Sequence, residues 1–333
     1  MMISYGEALI DLIVSPYSQQ SMHTASQACL GGSVFNFCIA SARQGLSTTY
    51  LNRLSHDSFG QQMRQVLLGE GVVLASPAAS ALPTSIAVVQ LDAQGKASYA
   101  FHREAVADRD LSASQAIAAV PDGAQVLHTG CLMLVPADWP KTRTLLQAAL
   151  ERGLCVTVDA NLRTVVCADL VPYRSSVLAA CAMAHVVKVS DDDLVDLGLA
   201  AAQVAADPVG AARALLLNAP SAQSNTQLVA LTLGAAGAWL VTRGAQVFAP
   251  STPGIAVADT VGAGDCFFAA LLAALQRGGV LSASGLAQSL DPALWRSALA
   301  HAIAAAGVNV TRVGCNPATW DETQAVAAAV NDA

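Results

Sequence analysis

Residues 259–275 read DTVGAGDCFFAALLAAL. An apolar run, Cys266 to Leu275, is introduced by two aspartates and two glycines, and Asp265 sits directly against it. Carboxylates are seldom placed there for packing. The stretch reads as a loop that enters a helix at about Ala263 to Asp265. The first turn of a helix carries unpartnered N–H groups and partial positive charge, and glycines let an anion approach that backbone closely. Gly262, Ala263 and Gly264 therefore make an anion cradle. It is neither a G-x-x-x-x-G-K-[ST] loop nor a G-x-G-x-x-G turn. A carboxylate is a poor ligand for a phosphate, so its better use is to accept a proton from a hydroxyl attacking that phosphate. On these residues alone a helix cap is an equal alternative for Asp265.

Outward from this stretch, the chain of 333 residues is long enough for one large α/β domain with an accessory piece. Hydrophobic residues make up 54% and charged residues 12%, and the longest apolar runs are interrupted before the roughly 18 positions a membrane helix needs. The start, MMISYGEALIDLIV, has neither a basic leader nor a small-residue cleavage site, which gives a cytoplasmic expectation. The net charge of −7 comes without a basic stripe, arguing against nucleic acid as a partner. Eight cysteines stand singly, with no C-x-x-C pair and no zinc-ligand spacing, and read as reduced, buried small hydrophobes.

Along the chain, ISYGEALIDLIV reads as one buried strand, SPYSQQSMHTASQACLGG as a loop, and Ser33 to Gln44 as a helix announced by Gly31-Gly32-Ser33. Strands TTYLNRL, AQVLHTG, LCVTVDA, HVVKVS and QLVALTLG then alternate with helices at Asp57–Leu68, Trp139–Arg152, Val171–Ala184 and near Val209–Leu217. That alternation predicts a doubly wound, mostly parallel sheet with helices on both faces. Residues Thr84 to Arg103 break the rhythm with two strands joined at Asp92-Ala93-Gln94-Gly95, a hairpin without a helix. Such a hairpin needs its own packing place, and a small β lid over a substrate is the expectation. The whole chain, 1–333, is then a single α/β domain whose lid is formed by about 12–30 and 84–105.

Residues 31–60, GGSVFNFCIASARQGLSTTYLNRLSHDSFG, and 259–272, DTVGAGDCFFAALL, resemble the two signature regions of the PfkB, or ribokinase-like, carbohydrate kinases. Gly32, Asn36, Gly45 and Gly60 fall where the first signature wants them, and every position of the second is met. VALTLGAAGAWL between them resembles the family's nucleotide-side strand and turn. The resemblance implies phosphoryl transfer from ATP with Mg2+ to a primary hydroxyl of a sugar, with Asp265 as base and the amides of Gly262, Ala263 and Gly264 as the anion hole. On the sugar side it implies Asp11, at the end of the first strand, with Gly31, Gly32 and Asn36. On the nucleotide side it implies Lys188, Ser190, Asp193, Thr232, Gly234, Gly237 and Asn309.

Two departures bear on the metals. The family segment Asn-x-x-Glu is here Ser190 to Asp193, so Asp193 is the expected organiser of Mg2+ through water, with Asp191 and Asp192 as competitors. Asp259 starts a loop that in many relatives holds a monovalent cation, and K+ is left open. For the sugar, GEALIDLI, FHREAVADRDL and DANLR are similar to the bacterial fructokinase branch, which places Arg103 of the lid and Arg163 in the sugar site and makes D-fructose, giving fructose 6-phosphate, the expected acceptor. The alternatives are a 2-keto-3-deoxygluconate kinase, a ribokinase-type activity, and a non-catalytic sugar or nucleotide sensor. Lid hairpins in relatives often pair, so a homodimer through the lid is a further expectation.

Overall fold

The computed structural model describes residues 1–14, 23–91, 97–218, 224–288 and 291–331. Its strands are β1 (Met2–Tyr5), β2 (Leu9–Val14), β3 (Ser26–Gly31), β4 (Thr48–Tyr50), β5 (Val73–Leu74), β6 (Ser85–Leu91), β7 (Ala97–His102), β8 (Val126–Gly130), β9 (Cys155–Asp159), β10 (Val186–Ser190), β11 (Leu228–Thr232), β12 (Ala238–Val241) and β13 (Gln246–Ala249). The helices are α1 (Ser33–Arg43), α2 (Ser58–Gly69), α3 (Ala113–Ala119), α4 (Trp139–Glu151), α5 (Leu170–Met183), α6 (Asp191–Asp196), α7 (Ala201–Ala206), α8 (Pro208–Ala212), α9 (Ala263–Arg277), α10 (Ala283–Gln288), α11 (Pro292–Val310) and α12 (Trp320–Asn331).

Nine strands form one sheet in the order β13-β12-β11-β10-β9-β8-β1-β4-β5. From β5 to β11 neighbours run parallel, and β12 and β13 are added antiparallel at one edge. The central strands are rich in Val and Leu because both faces are covered. Alternate residues divide between two cores: Val187, Val189, Val229 and Leu231 pack with α4 and α5, while Val186, Leu228 and Ala230 pack with α9 and α11. The same alternation turns Lys188 and Asp159 toward the side covered by α1 and α9.

A second sheet, β3-β2-β6-β7, stands apart. It is mixed: β2 and β3 pair antiparallel, β2 and β6 parallel, β6 and β7 antiparallel. This is the hairpin-bearing lid; its expected turn at Asp92-Ala93-Gln94-Gly95 lies outside the described residues.

Three readings of the sequence are corrected. ISYGEALIDLIV is two strands, not one, because the chain leaves the large sheet at Gly6 and enters the lid at Leu9. A side chain at Gly6 would collide with Val34, and its N–H is held by Asn52 Oδ1 at 2.8 Å, which fixes the bend. Asp11 accordingly lies within a lid strand rather than at the end of a strand of the large sheet. Ser26–Gly31, expected as loop, is β3, supplied with backbone partners by β2. The expected helix near Val209–Leu217 is present, as α8 followed by a wider π-helical turn over Arg213–Leu217.

Candidate active site

The parallel strands deliver the ends of β9 and β10 to the head of α9, and α1 crosses the same place. Open α/β sheets place ligands at this carboxyl edge. Gly262 caps α9 in the left-handed region, φ 73°, where a Cβ would also fall 2.3 Å from Cys315 Sγ. Two reasons thus favour glycine at that position. The Ala263 N–H reaches Thr260 O at 3.2 Å, closing the turn that aims the first helical amides outward.

Asp265 is buried in the first turn of α9, yet it does not cap its own helix through its side chain. Its oxygens are instead taken by α1: Ser33 Oγ donates to Oδ1 at 2.6 Å and Asn36 Nδ2 donates to Oδ2 at 3.0 Å. Ser33 and Asn36 are three apart on a helix and so share a face. Burial pushes the Asp265 carboxyl above its ordinary value; the bonds from Ser33 and Asn36, then Lys188 and Arg163, oppose the rise. A carboxylate moved toward neutrality while held in two hydrogen bonds suits a proton acceptor.

Lys188 lies opposite Asp159 in the β9–β10 register, and its ammonium donates to both carboxylate oxygens at 3.0 Å. The same ammonium stands 2.9 Å from where a Cβ on Gly264 would be, so glycine there lets it approach the head of α9. Burial alone would lower the Lys188 amine; Asp159, Asp193 and Asp265 outweigh it and hold it above its ordinary value. Burial pushes Asp159 up against the pull of Lys188, and the two short bonds are those of an ion pair.

Asn161 connects the two sides. Its amide donates to Ser33 Oγ at 3.0 Å, and Arg163 Nη1 donates to Asn161 Oδ1 at 2.7 Å. Asn161 has φ 37°, a left-handed conformation that asparagine tolerates better than most residues. Asp193 accepts from Leu162 N at 2.8 Å on one oxygen and from Ser190 N and Oγ, both at 2.8 Å, on the other. It therefore closes a capping box at the start of α6 and fixes the DANLR loop as well.

On the lid side, Asp11 Oδ2 occupies the space a Cβ on Gly31 would fill, 2.4 Å away, and Gly32 holds φ 107° where a Cβ would strike Glu7 O. Burial raises Asp11 to about 6, Arg163 opposing and Asp265 adding to the rise. Arg103 is nine-tenths buried; its Nη1 lies 3.4 Å from Leu132 O and 3.5 Å from Asp138 Oδ2, while Nε and Nη2 have no hydrogen-bond partner. Nearby Glu7 is also buried, and burial pushes it up to about 7, with Arg103 opposing.

Farther along the edge, Thr232 ends β11, and Gly234 and Gly237 make the turn into β12. Asp259 Oδ2 accepts from Gly314 N at 2.8 Å and Oδ1 from Val261 N at 3.0 Å. Asn309, fully buried, donates to Val261 O at 2.9 Å and accepts from Asn316 N at 2.9 Å. These two residues tie the DTVGAGD loop to the turn after α11. Among the described residues no group of three or more His, Cys, Asp or Glu side chains could hold a metal by itself.

Asp265, Asn36, Lys188, Arg163 and Asp11 are thus brought together, while Asp259 and Asn309 brace the loop that leads to Asp265. Sequence reasoning passed over Ser33, Asn161 and Asp159. Ser33 could have been found from its helical spacing to Asn36, and Asp159 and Asn161 belong to the DANLR stretch already singled out for Arg163.

The sequence pattern of the pfkB family carbohydrate kinases matches residues 1–322. A fructokinase of Rhizobium leguminosarum bv. trifolii is 31% identical over 291 residues, covering 87% of this chain and 84% of that protein. A fructokinase of Vibrio alginolyticus is 32% identical over 285 residues, 82% of this chain and 83% of its own. Among solved structures, fructokinase with bound ATP from Xylella fastidiosa matches with a TM-score of 0.81 at 25% identity, covering 99% of each chain. Fructokinase from Vibrio cholerae in fructose, ADP and calcium ion bound form matches with a TM-score of 0.73 at 25% identity, over 99% of this chain and 98% of the other.

Proposed function

Because the chain belongs to the pfkB family of carbohydrate kinases and is an ATP-dependent sugar kinase, we propose that its acceptor is D-fructose, that the product is fructose 6-phosphate, and that Asp265 is the base. The observation that carries the base assignment is the buried Asp265 carboxylate held by Ser33 and Asn36 at the head of α9. The sugar's primary hydroxyl oxygen attacks the γ-phosphorus, its proton passes to Asp265, and the bond to the β–γ bridging oxygen breaks to release ADP. The amides of Gly262 and Gly264, joined by that of Ala263 when it leaves Thr260 O, and the Lys188 ammonium beside Gly264 stabilise the charge on the transferred group.

Asp11, with Gly31, Gly32 and Asn36, receives the sugar, and a carboxylate gripping hydroxyls discriminates polyols from plain alcohols. Arg163 meets it from the opposite strand end. Ser190, Thr232, Gly234, Gly237 and Asn309 border the nucleotide. Mg2+ would neutralise charge on the phosphates, and Asp193, whose oxygens already accept from Leu162 N and from Ser190 N and Oγ, would order its water through a remaining lone pair. Asp259 and its loop are the place at which a monovalent cation such as K+ would act. Support for fructose comes from the fructokinases among the relatives and from the DANLR and FHREAVAD stretches.

A second reading rests on Arg103. Its Nε–Nη2 edge is buried and without a partner, the donor geometry that matches a carboxylate. That favours 2-keto-3-deoxygluconate as acceptor. An ATP-dependent screen over fructose, 2-keto-3-deoxygluconate, ribose, glucose and adenosine, run beside Asp265→Asn, separates the readings. Fructose should turn over fastest and Asp265→Asn should abolish it. Turnover retained within about tenfold in that variant would remove Asp265 from the base role, and no turnover with any acceptor would favour a sensor.

A further inference from the structure

Of the eight cysteines, two meet at the head of α9. Cys266 follows Asp265 in the first turn and is 1% exposed. Cys315, partly exposed, lies in the turn between α11 and α12, with its Sγ packed against the cap residue Gly262. Cys315 packs against the core cluster that contains Cys266, and Cys266 lies one helical turn beyond Gly262 on the same face of α9. Arg43 Nη1 donates to Asn316 Oδ1 at 2.7 Å and to Pro317 O at 2.8 Å, so a guanidinium holds the same turn. Cys315 is thus a sulfur open to solvent with a second thiol packed behind it, the placement of an oxidisable cysteine and its resolving partner.

We propose that Cys315 and Cys266 form a peroxide-sensitive pair that closes to a disulfide and switches off the phosphoryl-transfer site. Cys315 sulfur attacks one oxygen of hydrogen peroxide; the O–O bond breaks, water leaves with the thiol proton, and Cys315 becomes a sulfenic acid. Cys266 sulfur then attacks Cys315 sulfur; the S–O bond breaks, a second water leaves with the Cys266 proton, and the S–S bond forms. Two thiols are oxidised by two electrons and one peroxide is reduced to two waters. The bond, about 2.05 Å long, is far shorter than a thiol–thiol contact, so Cys315 must move off Gly262 toward α9. With it move Gly314 and Asn316, whose N–H groups hold Asp259 at 2.8 Å and Asn309 at 2.9 Å. The DTVGAGD loop loses both braces.

The loss of activity rests on the function proposed above, whereas the disulfide itself does not, and the test keeps them apart. The full-length protein is treated with hydrogen peroxide, digested under non-reducing conditions and mapped by mass spectrometry, with sugar-dependent ADP release followed in parallel. The expected result is a Cys266–Cys315 linked peptide, an activity loss of about tenfold or more, and recovery with dithiothreitol. Cys315→Ala should keep most of its own untreated activity under the same peroxide, whereas Cys167→Ala, at another partly exposed cysteine, should lose activity as the unmodified protein does. Absence of the linked peptide after inactivation, or equal inactivation of Cys315→Ala, overturns the proposal. Should Cys315→Ala fail to fold, the linked peptide in the unmodified protein and its reversal by dithiothreitol decide it. If no sugar is phosphorylated, the mapping still decides the thiol chemistry, and only the functional reading falls.

Discussion

Lys188 of β10 stands opposite Asp159 of β9, its ammonium 3.0 Å from each carboxylate oxygen, and both side chains are almost fully buried. A buried pair of this kind contributes little net stability when intact, but removing one partner strands the other charge, at a cost of about 3–5 kcal/mol. Lys188→Met should therefore destabilise the fold by about that amount, and Lys188→Met combined with Asp159→Asn by clearly less than the two single changes summed. Urea unfolding of the four proteins measures the cycle. Additive losses would show that the pair is not coupled.

Ser33 reaches across the fold to Asp265 with the shorter of the two bonds that orient the carboxylate. Hydrogen bonds to an ionised carboxylate lower its pKa, so deleting one should raise it. The acid limb of the kcat/KM–pH profile should therefore lie above the ordinary aspartate range, because burial pushes Asp265 up. In Ser33→Ala that limb should move higher still, by about one pH unit for a bond worth about 1.4 kcal/mol. A profile that falls uniformly without moving would assign Ser33 to positioning alone.

Gly262 and Gly264 differ in what a methyl group would do. At Gly262 it would meet both the left-handed backbone and Cys315 Sγ, so Gly262→Ala should lower kcat by about two powers of ten or more, as for loss of an anion-hole donor. Cys315→Ala should give only partial rescue, since it relieves the collision but not the φ of 73°. At Gly264 the methyl would press on the Lys188 ammonium. Gly264→Ala should then weaken binding of the charged nucleotide, read as a raised KM for ATP.

Much of this site could be read before the fold was known, and for definite reasons. The DTVGAGD stretch announces its helix start locally, and α9 begins at Ala263, whereas on those residues alone Asp265 stood equally as a cap. The alternation of Val-rich strands with helices likewise gave the parallel sheet. What the sequence hid were relations set by tertiary packing. The split of ISYGEALIDLIV depends on Val34 and Asn52 meeting Gly6. The strand Ser26–Gly31 lacks an alternating apolar pattern and forms because β2 supplies its partners. The pairing of Lys188 with Asp159 needs the strand register, and the meeting of Cys266 with Cys315 needs α11 to return the chain to α9.

His301 of α11 offers a stability test away from the site. Its Nε2 lies 2.7 Å from Oε1 of Gln44, which caps α1, its Nδ1 is 2.8 Å from Gln324 Nε2 of α12, and its ring faces Trp320 at 4.0 Å. Gln44 Nε2 is occupied by Ala318 O and Thr323 Oγ1, so Gln44 Oε1 accepts from His301 Nε2–H and Nδ1 accepts from Gln324. The neutral ring satisfies every partner. Burial, helped by the nearby Arg277 of α9, lowers its pKa from 6.5 to about 4. The unfolded chain therefore takes up this proton first as pH falls. The contribution of neutral His301 is complete above about pH 6.5 and drains away as pH falls toward 4. Other buried groups titrate over the same range, so the informative quantity is the difference between the unmodified protein and His301→Gln. Its advantage in unfolding free energy should be largest at pH 7.5 and shrink steadily to pH 4. A difference that stays constant across that range would mean that the ring is not held neutral by its surroundings.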